Sequence, residues 1–288
     1  MIYLSTGGFS DQPAWMTSEQ LAKIGLNCFE LSGGQPDEGQ FQQLNRLKKT
    51  LNFQLHNYFP PPSEPFIFNL ASLDPLISSR SFEHVLTSMQ WALELDRPTY
   101  SFHAGFLLDP QVKELGKNIS NRTLFDREKA LDNFLEKINR LSEHAHSLGV
   151  ALLIENNVLS AKNYHNFSGN PFLMATAEES AYIMRETPNN VNLLVDVAHL
   201  KVSAQTLNFD PVAFLNICDD WIKAYHLSDN DGTRDSNDPI TNESWFWPHM
   251  KSGLDYYSLE VYNASPSQLF QQLQLVKNKV DKTNENYR

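Results

Sequence analysis

Val150-Ala-Leu-Leu-Ile-Glu155 and Val191-Asn-Leu-Leu-Val-Asp196 decide how this chain is read. Each is a short apolar run closed by a carboxylate. Between them, residues 176–187 carry a helical pattern, with Ala177, Ala181 and Met184 turned inward. Apolar strands on either side of a helix read as a buried parallel pair joined by a crossover. Working outward, six more runs fit strands, at 2–6, 27–31, 51–56, 99–103, 221–226 and 256–260. Helical spacing recurs at 18–24, 40–49, 81–95, 126–148, 210–218 and 265–280. The clearest is 126–148, where Leu131, Phe134, Leu135, Ile138, Leu141 and Ala145 form one stripe. Eight strands alternating with helices predict an α/β fold, a (β/α)8 TIM barrel, as one domain over residues 1–280 with a polar tail at 281–288. A doubly wound open sheet is the alternative. It calls for a glycine-rich first turn, which Ser5-Thr-Gly7-Gly8-Phe9 matches only weakly, and no dinucleotide fingerprint follows.

The strand ends carry the chemistry. In chain order they present His56, His103, Glu155, Asp196, His226 and Glu260, each where an apolar run meets a loop. A charged or imidazole group at such a place costs desolvation energy. One is an accident; six in register predict convergence on a divalent metal. Glu155, Asp196, His226 and Glu260 form the tightest group. Three carboxylates held close raise one another's pKa, and a cation relieves this. Oxygen-rich coordination with one nitrogen suits Mn, Zn, Co or Mg, among which the sequence does not choose. Singly, each residue reads as well as a cap or surface group at a strand end.

Around this core lie residues for a second metal or for substrate. His56 and His103 suit either role. His199, three residues after Asp196, faces the same mouth or else solvent. Lys201 meets a phosphate or hydroxyl, or is merely solvated. Three long loops, 57–76, 156–175 and 227–252, leave the C-terminal ends of strands, where barrel active sites are built. The last carries Asp235 and Trp245. Phe59, Phe106, Tyr164, Phe167, Trp245 and Trp247 are read as rings that exclude water and stack on a sugar, with loop packing as the plainer reading. His84, His144 and His146 are read as surface residues, whereas His165 and His249 are set apart on the loops.

Composition narrows the classes. A 288-residue chain that is 41% hydrophobic has enough apolar material for a large core, which excludes global disorder. Its net charge of -11 disfavours tight binding to nucleic acid. No apolar stretch suffices for a membrane span, and the N-terminal residues lack a signal-peptide layout. Cys28 and Cys218 make no disulfide framework, so a cytoplasmic location is expected. Aromatics on the mouth loops serve a homodimer as easily as a substrate.

With these residues in place, the chain resembles the xylose-isomerase-like barrel superfamily, which contains sugar isomerases, epimerases and the endonuclease IV class of nucleases. The resemblance covers nearly the whole chain. It implies that Glu155, Asp196, His226 and Glu260 hold the central metal, and that Glu155 and Glu260 act as the acid/base pair of an isomerase or epimerase. The family's Asp-x-x-His is matched by Asp196-Val-Ala-His199. His56 and His103 resemble the histidines that complete the nuclease zinc cluster. The nuclease Asp-x-His corresponds to Asp235-Ser-Asn237, and asparagine is a poor zinc ligand. The resemblance thus implies a metal-dependent sugar or sugar-phosphate isomerase or epimerase working through an enediolate. An endonuclease IV-like zinc phosphodiesterase and a catalytically silent sugar-binding barrel are the alternatives.

Overall fold

A computed structural model describes residues 1–114 and 119–286. The eight strands are β1 Ile2–Ser5, β2 Cys28–Leu31, β3 Asn52–His56, β4 Thr99–His103, β5 Ala151–Glu155, β6 Val191–Asp196, β7 Ile222–Leu227 and β8 Tyr256–Leu259. They pair in parallel in chain order, and β8 pairs with β1 to close a barrel. The open-sheet alternative is therefore excluded. Between and after the strands run α1 Ala14–Ala22, α2 Gln40–Leu47, α3 Pro75–Glu94, α4 Arg127–Leu148, α5 Ala161–Phe167, α6 Ala177–Glu186, α7 Val197–Leu207, α8 Pro211–Cys218 and α9 Pro266–Asn286. No helix of the described residues is long and apolar enough to cross a membrane.

Several helices differ from the sequence reading for local reasons. α3 starts at Pro75, six residues before the expected 81, because Asp74 caps it and proline suits its first turn. α1 begins after Pro13 rather than after Thr17. α5 sits inside the expected loop 156–175, capped by the Ser160 hydroxyl. α9 continues past 280 to Asn286, across most of the segment read as tail, and residues 287–288 lie outside the described residues. α4 matches its stripe, with Asp126 accepting the Lys129 N–H at one end and Gly149 in the left-handed region (φ 69°) at the other.

Strand alternation divides the side chains into two sets. Phe29, Phe53, Leu55, Phe102, Leu152, Ile154, Leu193 and Val195 point outward and are buried beneath the helices. Tyr3, Leu153, Leu194, Ala224 and Tyr256 point inward and fill the lower barrel. Two residues further along these strands come Ser5, Glu155, Asp196, His226 and Ser258, all buried. This spacing lifts the ionisable groups into the upper layer, above an apolar plug that keeps water from reaching them from below.

Candidate metal centre

The upper layer is built by register. His103 lies beside Glu155 across β4–β5, and Asp196 beside His226 across β6–β7. Glu155 is fully buried at the centre. One of its oxygens is 3.2 Å from Nε2 of His56 and 3.2 Å from Nδ1 of His103. The other is 3.3 Å from Nδ1 of His199 and 3.4 Å from Nδ1 of His226. His226 Nδ1 also lies 3.4 Å from Glu260, whose other oxygen accepts the Ser5 hydroxyl at 2.9 Å.

Asp196 has two tasks. It is the last residue of β6 and the N-cap of α7, which begins at the next residue. Its Oδ1 accepts the backbone N–H groups of Ala198 and His199, each at 2.7 Å. This fixes the rotamer and leaves Oδ2 turned inward, 3.9 Å from His199 Nε2. The sequence leaves His199 at the start of a helix or loop, facing either the mouth or solvent, and the structure excludes solvent. It is instead buried in the first turn of α7, with Nδ1 3.0 Å from the Asn156 carbonyl and Nε2 3.2 Å from Asp235. Asp235 is brought there by a hairpin in which Asp229 and Asp238 pair backbone to backbone.

The donor set fits a cation. Both Glu155 oxygens, Asp196 Oδ2 and His226 Nδ1 are buried without a hydrogen-bond partner. Their mutual distances are short, yet the groups are not aligned to donate to one another. Lone pairs that converge in this way are satisfied by a metal ion. Three overlapping triads have ligand atoms close enough to share one: His56–Glu155–His226, His103–Glu155–His199 and Glu30–His226–Glu260.

Charge in this layer is not distributed as three clustered carboxylates alone would have it. Burial opposes ionisation of Glu155, but the imidazoles of His103, His226 and His56 outweigh it and hold its carboxyl well below the usual range. Burial likewise opposes the charge of Glu260, yet His226 pulls it down to about 2. Of these three only Asp196 rises, to about 7, through burial against the partial relief of His199; Glu30 is raised as well, by its own burial against the relief of His226. His226 is desolvated but held well above an ordinary histidine by Glu30, Glu260 and Glu155. His199 is held up in the same way by Asp196 and Asp235. Burial drives His56 down to about 3 and lowers His103. Near neutrality the positive charge in the metal-free layer therefore rests on His226 and His199.

Other expected residues fall differently. Lys201 is half-buried and paired rather than free in solvent: its ammonium meets Asp229 at 2.7 Å and the Asn230 carbonyl, which fastens α7 to the 229–238 hairpin. Trp245 is half-buried beside Phe246 with its indole nitrogen enclosed. The mouth aromatics largely pack on one another. Phe59 is fully buried against Trp91, Phe106 stacks edge-on against Phe172, and Tyr164 and Phe167 join a small cluster around Leu108 and Leu159. His84 is not a surface residue; it is buried and stacked on Tyr58. His165 and His249 are exposed.

Two residues escaped the sequence reading. Glu30 is fully buried in β2, 3.0 Å from His226 Nε2. A charged group inside Cys28-Phe-Glu30-Leu31 was the available signal, but Leu31, not Glu30, ends that strand. Tyr262 follows Glu260 by two residues. Its ring covers Gly7 and Gly8, and a Cβ at Gly8 would come within 2.7 Å of it. Burial, reinforced by Glu260 and Asp235, pushes its phenol well above the ordinary value, so it stays a hydrogen-bond donor.

A family model described as xylose isomerase-like TIM barrel matches residues 18–262. The chain belongs to that family. Its fold is shared by several solved structures. A D-tagatose 3-epimerase-like protein superposes with a TM-score of 0.74 at 18% identity, covering 100% of this chain and 99% of the other. An L-ribulose 3-epimerase gives 0.71 at 13%, covering 99% and 96%. An AP endonuclease, family 2, from Brucella melitensis gives 0.64 at 16%, covering 93% and 96%. At these identities the likeness is one of fold. No curated protein sequence matches the chain. The xylose isomerase-like barrel is thus common to sugar epimerases and nucleases, and the choice between them rests on the site.

Proposed function

We propose that the chain is a divalent-metal-dependent isomerase or epimerase that acts on a sugar or sugar phosphate by removing the proton beside a carbonyl. The observation that carries this reading is that Glu155 and Glu260 each reach Nδ1 of His226 at 3.4 Å, while Asp196, beside His226 in the neighbouring strand, has an Oδ2 buried without a hydrogen-bond partner. These four residues would hold the ion. Bound there, a divalent ion would supply Lewis-acid polarisation of a substrate carbonyl, which acidifies the neighbouring C–H.

The chain's own groups then divide the work. Glu260 is held ionised, steadied by Ser5, and accepts the proton at its carboxylate. Glu155, ionised at rest, takes a proton from the cationic His199 ring 3.3 Å away and delivers it to the same or the neighbouring carbon, while Glu260 gives up the abstracted proton to solvent and His199 regains one before the next turnover. The Tyr262 phenol, protonated beside Glu260, donates a hydrogen bond to a substrate oxygen. His199, braced by Asp235, positions another. The apolar plug and the packed loops keep bulk water from competing for the proton.

The test is a panel of ketoses and ketose phosphates incubated in D2O with protein loaded with Mn or Zn. Incorporation of deuterium at the carbon next to the carbonyl is expected. A panel with no exchange, on protein that holds one metal per chain, would refute the proton-abstraction chemistry.

A second reading is favoured by one observation. His56 and His103 each come within 3.2 Å of the same Glu155 oxygen, so ligands for a further ion are already assembled. That arrangement suits a phosphodiesterase of the endonuclease IV kind. Against it stand the net charge of -11 and Asn237 in place of a histidine ligand. Two or more zinc ions per chain by plasma mass spectrometry, with cleavage of an abasic-site duplex, would put this reading first.

A further inference from the structure

Glu30 is a fully buried carboxylate that the mechanism above does not use. It projects from β2 into the barrel, and both its oxygens face one edge of His226, at 3.0 and 3.2 Å from Nε2. The other ring nitrogen, Nδ1, faces Glu155 and Glu260 at 3.4 Å each. The imidazole is therefore held between a carboxylate on one side and the converging lone pairs on the other. A carboxylate only accepts, so the hydrogen must sit on Nε2 and point at Glu30. In the metal-free protein Nδ1 carries a hydrogen as well, toward Glu155 and Glu260; an ion bound in the upper layer would replace that one, and the Nε2 hydrogen on Glu30 would be the ring's only one.

We infer that Glu30 is a positioning residue: it fixes His226 as the Nε2–H tautomer and aims Nδ1 at the metal. This rests on the metal-dependent reading above. Glu30 is close enough to His226 and Glu260 to be taken for a ligand itself. The geometry argues otherwise. Glu30 holds the nitrogen on the far edge of the ring, so an ion bound at Nδ1 has the imidazole between itself and Glu30. A carboxylate behind a metal-binding histidine locks the ring and raises its basicity, and losing such a partner typically weakens metal binding about 10–100-fold.

His56 supplies an internal control, because its ring is held from below by different groups. Its Nδ1 lies 3.0 Å from the Ser101 hydroxyl, which receives the Tyr256 hydroxyl at 2.9 Å and donates to the Leu55 carbonyl. Ser101 thus spends its hydrogen on the backbone and accepts from the His56 Nδ1–H. His56 is the opposite case: in the loaded protein, where an ion rather than an imidazole hydrogen meets the Glu155 carboxylate, it keeps its hydrogen on Nδ1 and turns Nε2 toward Glu155.

The experiment uses 15N-histidine-labelled full-length protein loaded with zinc. Long-range 1H–15N correlation spectra should show His226 protonated at Nε2 and metal-bound at Nδ1, and His56 protonated at Nδ1. Zinc affinity is then measured against a fluorescent chelator. Glu30→Met, which has no acceptor, should bind zinc about 10–100-fold more weakly, with the His226 signals displaced and those of His56 unchanged. Glu30→Gln keeps an acceptor oxygen and should recover most of the affinity. Equal losses in Glu30→Gln and Glu30→Met, with the His226 tautomer intact, would make Glu30 a ligand and overturn the inference. So would wild-type affinity in Glu30→Met, or a His226 protonated at Nδ1 in the zinc-loaded wild type, a reading that needs no variant to fold. Wild-type protein that takes up no zinc overturns the metal reading, and this inference with it.

Discussion

Replacing Glu155 by glutamine tests the centre of the site most directly. The carboxylate is fully buried, and its two oxygens are approached by four imidazole nitrogens at 3.2–3.4 Å. Two of those imidazoles, His226 and His199, are the ones held positively charged. Glutamine keeps the shape but removes the counter-charge, so two desolvated cations lose a partner they share. Removing one member of a buried ion pair costs roughly 3–5 kcal/mol. In a chain somewhat above 250 residues each kcal/mol moves the midpoint by about 2–4 °C, so a fall of roughly 6–20 °C is expected. The assay is thermal unfolding followed by circular dichroism at pH 7 with a chelator present. A second arm adds zinc. At about one hundred times its Kd, a ligand that binds only the folded state stabilises it by about 2.7 kcal/mol. Wild-type protein should show that upward shift, and Glu155→Gln should lose most of it. A metal-free midpoint within 2 °C of wild type would refute the counter-charge argument, and an undiminished zinc shift would refute Glu155 as a shared ligand.

Three further outcomes follow from the same geometry. Glu260→Gln should lower the rate of substrate C–H exchange in D2O by about 10²–10⁴-fold, the usual contribution of a positioned base; exchange at the wild-type rate would remove Glu260 from that role. Zinc affinity should fall about tenfold per pH unit as the pH drops below neutrality, because His226 is protonated in the free protein and must release that proton to bind; Asp196, at about 7, steepens the slope further below pH 7, and a flat profile between pH 6 and 8 would contradict this. His84 offers a stability test away from the metal. Burial lowers it from 6.5 to about 4, so its neutral form is favoured by folding and stability is lost as the pH falls from 6.5 toward 4. By pH 5 that loss is about 2 kcal/mol, and His84→Phe should show correspondingly less change between the urea midpoints at pH 7 and pH 5; an identical pH difference in both proteins would count against it.

What was legible in the sequence follows from where information about burial is stored. β5, β6 and β7 announced themselves because an apolar run stops on an ionisable residue, and the order of these stops is the order of the groups around the barrel. Glu30 is next to last in its strand, as His226 is in β7, and is passed over because the run at 27–31 ends on Leu31 whereas that at 221–226 ends on His226, although a charge inside an apolar run is as costly there as at Glu155. α7 stays open as helix or loop because its cap, Asp196, already counts as a strand end. Neither propensity nor spacing states that one residue serves both elements. The charge state of the layer was out of reach for a different reason. Carboxylates considered by themselves raise one another, whereas interleaved histidines reverse the sign for Glu155 and Glu260, and interleaving exists only after closure. The mouth aromatics stay between substrate contact and loop packing for the same reason. Whether Phe59 faces a substrate or Trp91 depends on how loop 57–74 folds back, which periodicity does not encode.

The junction at Asp196 has a consequence for how such a protein diversifies. At most crossings from strand to helix the chain has slack: eighteen or so residues separate β3 from α3, and that is where length and composition can drift without disturbing the barrel. Between β6 and α7 there is none, because the residue that closes the strand also opens the helix. An insertion there would rotate the cap away from its two backbone donors and carry His199 and Lys201 out of line at the same time. New substrate preferences have to be acquired in the long loops, while this one peptide link stays fixed as the hinge pin around which they vary.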